Sequence, residues 1–106
     1  MNNREATRGY DCTILGDVLW DVIVSTEYAQ LTYGGTRYCH FAGIFPGGVG
    51  NVATALSHLG GRVGFIGKIG TDWWGKLYLE DLRRNSVSVC MYYDEDLPTG
   101  LVMVFV

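Results

Sequence analysis

The chain has 106 residues, enough for one compact domain or part of one, and a formal net charge of −3. That balance lacks the basic footprint of a nucleic-acid binder, and no apolar run approaches membrane-spanning length. Residues 1–11 are a polar lead-in without the apolar core of a signal peptide. Cys12, Cys39 and Cys90 are odd in number and too far apart for a metal knuckle or a redox pair, so reduced cytosolic thiols are the expected state.

In chain order, Cys12–Leu15 reads as a short buried strand ending at Gly16. Asp21–Ser25 reads as a second strand and Tyr28–Gly35 as a turn, with Gly34-Gly35 as a hairpin candidate. Thr36–Phe45, rich in aromatic and β-branched residues, reads as a strand before Pro46. In Pro46-Gly47-Gly48-Val49-Gly50-Asn51, three glycines in four residues free the backbone for positive φ and for close approach to a ligand. A helix pattern follows over Asn51–Leu59, with Val52, Ala55, Leu56 and Leu59 on one face, Asn51 at the expected N-cap and Gly60-Gly61 as the stop. A glycine turn feeding a helix N-terminus suits oxygen-rich or anionic ligands, because first-turn N–H groups and the helix dipole point at them.

Val63–Ile66 reads as a buried strand. A second helix runs from an Asp72 or Thr71 cap to about Asn85, with Trp74, Leu77, Tyr78 and Leu82 inward and Glu80 able to pair with Arg83 or Arg84. Val87–Tyr92 is a third strand, Asp94–Pro98 a solvated charged turn, and Leu101–Val106 an apolar strand. Alternating strand and helix predicts a parallel sheet with crossover helices, which the segments at about 21–45 and 99–106 do not fit. The apolar finish Leu-Val-Met-Val-Phe-Val has no turn or partner after it, so the chain is expected to be the N-terminal part of a longer protein.

Two short patterns are decoys. Gly48-Val49-Gly50-Asn51-Val52-Ala53 fits a dinucleotide fingerprint, but Pro46 interrupts the entry and no acid follows until Asp72. Gly70–Lys76 fits the start of a phosphate-binding loop, yet Leu77 stands where a Ser or Thr must ligate Mg²⁺.

The ordered run Phe45–Gly75, with Leu15-Gly16-Asp17-Val18-Leu19-Trp20-Asp21-Val22 before it and Pro98-Thr99-Gly100-Leu101 after it, resembles the N-terminal signature of the ribokinase-like PfkB carbohydrate kinases. The resemblance covers residues 12–106 and implies a three-layer α/β sandwich with a small antiparallel β lid, truncated on its C-terminal side, with lid strands at about 21–45 and 99–106. It implies an ATP-dependent kinase that moves the γ-phosphoryl of ATP to a sugar or nucleoside hydroxyl with Mg²⁺. It places Asp21, Gly47, Gly48 and Asn51 at the sugar. The catalytic base and phosphoryl-binding helix would belong to a later Gly-Ala-Gly-Asp-type motif, so the ATP site lies outside this segment and the 106 residues alone are expected to be inactive. A cytoplasmic protein, with a homodimer formed through the lid, fits the same picture. Leu19 stands where the family often has Asn, and Val49 where a Lys is common, so the resemblance does not specify ribose. Two other readings are a non-catalytic sugar-binding fragment and a nicotinamide-dinucleotide domain.

Overall fold

The computed structural model describes residues 9–26 and 32–106. Its strands and helices run β1 (Cys12–Leu15), β2 (Leu19–Ser25), β3 (His40–Pro46), α1 (Val49–His58), β4 (Val63–Gly70), α2 (Trp73–Arg84), β5 (Ser88–Asp94) and β6 (Gly100–Phe105). They build two three-stranded sheets, β1-β4-β5 and β3-β2-β6.

The first sheet is parallel throughout, with Ile14 opposite Phe65 and Phe65 opposite Val89. This is the sheet that the strand–helix alternation predicts, since parallel neighbours need crossover connections. Both helices contribute to one core on the face that carries Val63, Phe65 and Ile69. Ala53 of α1 and Tyr78, Leu79 and Leu82 of α2 are buried there, with Ile14, Val89 and Met91 packed around them. Tyr78 and Leu82 lie on the predicted inward face of α2, and Trp74 and Leu77 complete it as partly buried side chains. Trp73 instead is largely exposed and stacks edge-on against Trp74. Glu80 forms no ion pair among the described residues; exposed side chains gain little from pairing in water.

Both helices end in the same way. At α1, Gly60 adopts φ 90°, and the amides of Gly60 and Gly61 donate to the carbonyls of Ser57 and Leu56. At α2, Ser86 takes the left-handed position with φ 62°, and Ser86 and Val87 donate to Arg83 and Leu82. These bonds close the last turn and turn the chain into the next strand.

The second sheet collects the segments that broke the alternation. β2 pairs antiparallel with β3 and parallel with β6, so this sheet is mixed and not the antiparallel lid expected. The reason lies in the connections: β3, both helices, β4 and β5 separate β2 from β6 in the chain, so the two are joined by a long crossover, which permits parallel pairing, and not by a hairpin, which would force antiparallel. β2 starts at Leu19, two residues before its expected start, and β3 starts at His40, four residues after. Of the expected turn at 28–35, residues 28–31 lie outside the described residues; Thr32–Gly35 forms a turn, with the Gly35 amide donating to the Thr32 carbonyl at 3.0 Å.

The start of α1 departs most from expectation. The helix begins at Val49 with Gly48 as its N-cap, and no side chain caps it. Asn51 is therefore the third helical residue and not the cap. Gly48 sits at φ 57°, ψ −135°, a conformation essentially restricted to glycine, which lets the chain turn from β3 into helix two residues after the strand ends. With glycine as the cap, no side-chain oxygen occupies the first-turn amides.

Candidate functional site

The site forms where the second sheet meets the start of α1. Leu19 and Asp21 are alternate residues of β2 and so share one face of the strand. Both side chains converge on Gly47. A Cβ on Gly47 would run into Leu19 Cδ1 and would lie 2.7 Å from Asp21 Oδ1. Only glycine permits this approach of a carboxylate to the turn. The Gly47 amide donates to the Leu19 carbonyl at 2.8 Å, and the Gly50 amide donates back to the Gly47 carbonyl at 3.2 Å, so the turn is tied to β2 and to α1. Gly48 is exposed next to it, with the Asp17 carbonyl 3.8 Å from where its Cβ would be.

Of the four residues expected at the site, the fold brings Asp21, Gly47 and Gly48 together. Asn51 lies one helical turn along α1, exposed, and its expected capping role is taken by Gly48.

Tyr78 is the neighbour that sequence reasoning read as core alone. It is fully buried, packs edge-on to Trp20 with ring centroids 5.2 Å apart, and donates its hydroxyl to the Gly47 carbonyl at 3.4 Å. Burial pushes the phenol well above its usual range, with Asp81 and Asp21 adding to the shift, so it is a donor at any working pH. A side chain on Gly50 would collide with the Tyr78 ring, which explains the third glycine of the turn. The available signal was chemical: an inward tyrosine needs a partner for its hydroxyl.

The groups gathered at this turn are of both hydrogen-bonding kinds. A carboxylate accepts two O–H bonds, backbone amides at the start of α1 donate, and Leu19 supplies an apolar wall. This set does not fit a nucleotide phosphate, since Asp21 places negative charge at the turn. Among the described residues no group of three or more His, Cys, Asp or Glu could hold a metal ion.

Both decoys fail on geometry. β3, which leads into Gly48, lies in the second sheet and has no parallel pairing with β4, so Gly48–Ala53 does not open a βαβ unit. In the Gly70–Lys76 loop the amides that would cradle a phosphate are already used. Gly70 donates to Thr99 Oγ1 at 3.0 Å and Gly75 to Asp72 Oδ1 at 2.9 Å. Asp72 is the N-cap of α2, as expected. Its partial burial acts to raise its pKa, but hydrogen bonds from Thr99, Gly75 and Trp74 outweigh that and hold the carboxyl below its ordinary value.

Residues 11–106 match the PfkB family carbohydrate kinases. The chain belongs to that family. It is 34% identical to a fructokinase of Salmonella typhimurium over 93 residues, 86% of this chain and 26% of the relative. The fold superposes on Halothermothrix orenii fructokinase with a TM-score of 0.73 at 30% identity, covering 90% of this chain and 33% of that one. It superposes on a Pyrococcus horikoshii sugar kinase in complex with ATP with a TM-score of 0.71 at 29% identity, covering 89% and 30%. The architecture is thus ribokinase-like, as the resemblance implied, and the chain spans about a quarter to a third of the length of these relatives. No described helix is long and apolar enough to cross a membrane.

Proposed function

We propose that these residues form the sugar-binding part of an ATP-dependent carbohydrate kinase, with Asp21 accepting hydrogen bonds from two substrate hydroxyls. The observation that carries this is the Asp21 carboxylate lying against Gly47 at the start of α1, which no side chain caps. Gly47, whose own amide is held by the Leu19 carbonyl, leaves room for the sugar to approach the turn, the exposed Gly48 brings backbone close to it, and Asn51 is a further hydrogen-bonding side chain at the rim. A neutral, hydroxyl-rich acceptor suits this donor–acceptor set, and the fructokinase relatives favour a hexose of the fructose type over a nucleoside.

ATP and Mg²⁺ would be held by family elements outside this segment, supplying the phosphoryl group and charge neutralisation when bound. The part played here is to position a hydroxyl and to exclude water from it. The strands at about 21–45 and 99–106 act as a lid in this reading, through which two copies can pair, and the protein works in the cytoplasm. Sugar binding alone does not accelerate transfer, because uniform binding leaves the barrier unchanged. The 106 residues by themselves are therefore expected to show no sugar-dependent release of ADP.

Calorimetric titration with D-fructose, D-ribose and adenosine tests the reading. Asp21→Ala is expected to weaken the preferred sugar by roughly ten- to a hundredfold, the loss of charge-assisted hydrogen bonds. Unchanged sugar affinity in Asp21→Ala would overturn it.

A further inference from the structure

Three hydrogen bonds join the second-sheet region to one short stretch, residues 72–78 of the α2 start. From β2, Trp20 Nε1 donates to the Trp74 carbonyl at 2.9 Å. From α2, the Tyr78 hydroxyl reaches the Gly47 carbonyl beside the end of β3. At the start of β6, the Thr99 amide donates to Asp72 Oδ2 at 2.7 Å. The Asp72 carboxylate is divided: Oδ1 takes the Gly75 amide and caps its own helix, while Oδ2 takes an amide that leads into the other sheet.

Thr99 reinforces the joint from the opposite direction. It is a buried polar residue, 6% exposed, and its Oγ1 accepts from the Gly70 amide at the end of β4. The packing around this joint leaves no room for adjustment. A Cβ on Gly75 would lie 2.6 Å from the Gly70 carbonyl oxygen and 2.9 Å from Thr99 Oγ1, and one on Gly70 would lie 2.8 Å from both Asp72 Oδ2 and the Thr99 amide nitrogen.

Capping a helix requires one oxygen, and a serine does it as well as an aspartate. The second oxygen has no capping task. It links β6 to α2, and β6 pairs along its length with β2, the strand that carries Asp21. We propose that Asp72 is a positioning residue, which holds the second sheet, and with it Asp21, in place against Gly47 through the Thr99 amide, a task separable from its capping of α2. This joint between the sheets has the same role whatever ligand the site takes.

The test is residue-resolved hydrogen exchange on the 106-residue chain and its Asp72→Ser variant. Serine retains a capping oxygen but is too short to reach the Thr99 amide as well. Exchange is expected to accelerate on the order of ten- to a hundredfold at the Gly100 end of β6 and in β2, while α2 and the central residues of β4 and β5 keep their protection. Unchanged exchange in β6, acceleration confined to α2, or an equal acceleration in both sheets would overturn the proposal. Should Asp72→Ser fail to fold, Thr99→Val takes its place. It keeps the side-chain shape and removes the acceptor of the Gly70 amide, with faster exchange expected at Gly70 and the Gly100 end of β6, and no change there refuting the joint.

Discussion

In the first sheet, β4 lies between two parallel partners, and α1 and α2 bury Val63, Phe65 and Ile69 to 2%, 1% and 2% exposure. In the second, β2 lies between one antiparallel and one parallel partner, and β6 leaves Leu101, Met103 and Phe105 between 44% and 51% exposed. The side chains are equally apolar, so composition does not explain the difference. Cover does: helices pack on one face of the first sheet, whereas the second is tied to the rest through a few hydrogen bonds and the buried Val18 and Trp20. One region is held by burial, the other by points of attachment, and the proposed sugar site lies at their boundary.

The largest expected effect contrasts the two regions directly. Phe65→Ala should cost about 3–5 kcal/mol, the usual loss for a buried aromatic, whereas Phe105→Ala should cost less than about 1 kcal/mol. Chemical denaturation of the two variants measures both, and equal losses would erase the distinction. At the boundary, Gly48→Ala forces a side chain into φ 57° and is expected to cost roughly 1–3 kcal/mol, with thermal unfolding as the readout. If Gly48→Ala is neutral, the turn is not the rigid element described.

A smaller change lies in the first region alone. Ser86→Gly relieves the left-handed residue after α2, and a gain of about 0.5–1 kcal/mol in unfolding free energy is expected, after the greater freedom of glycine in the unfolded chain is counted. Urea denaturation reads it, and a loss would show that Ser86 is unstrained there. The smallest effect is pH-dependent and also belongs to the first sheet. Lys68 on β4 pairs with Asp94 on β5 at 2.6 Å, and that partner, with the amides of Leu97 and Asp96, pulls the Asp94 carboxyl from 3.8 down to about 2. A depressed carboxylate contributes stability that is complete above its unfolded pKa and is lost as pH falls through the folded one. The stability gap between the wild type and Lys68→Met should therefore be constant above about pH 5 and shrink progressively as pH falls from about 5 through 2. A gap that does not shrink over that range would assign it to the lysine stem's packing and not to charge.

Local signals determined much of this protein. The period of the apolar residues placed β4 and α2, the start of α2 read as an Asp72 or Thr71 cap, of which Asp72 is the one observed, and the glycine run marked the turn at 46–50. The family followed from several motifs in order, which no single glycine pattern could have shown. Where local chemistry offered two solutions, the sequence did not choose. Asn51 and Gly48 are both acceptable caps, and the sharp entry from β3 selected glycine because only it tolerates that φ. The parallel partnership of β2 with β6, the Asp21 carboxylate against Gly47, the Tyr78 hydroxyl on the same turn and the shared oxygens of Asp72 join residues 26 to 81 positions apart. Such contacts leave no periodic trace in a chain. They exist because parallel strands must be joined by crossovers, and those crossovers bring the ends of distant strands together at one edge of the fold.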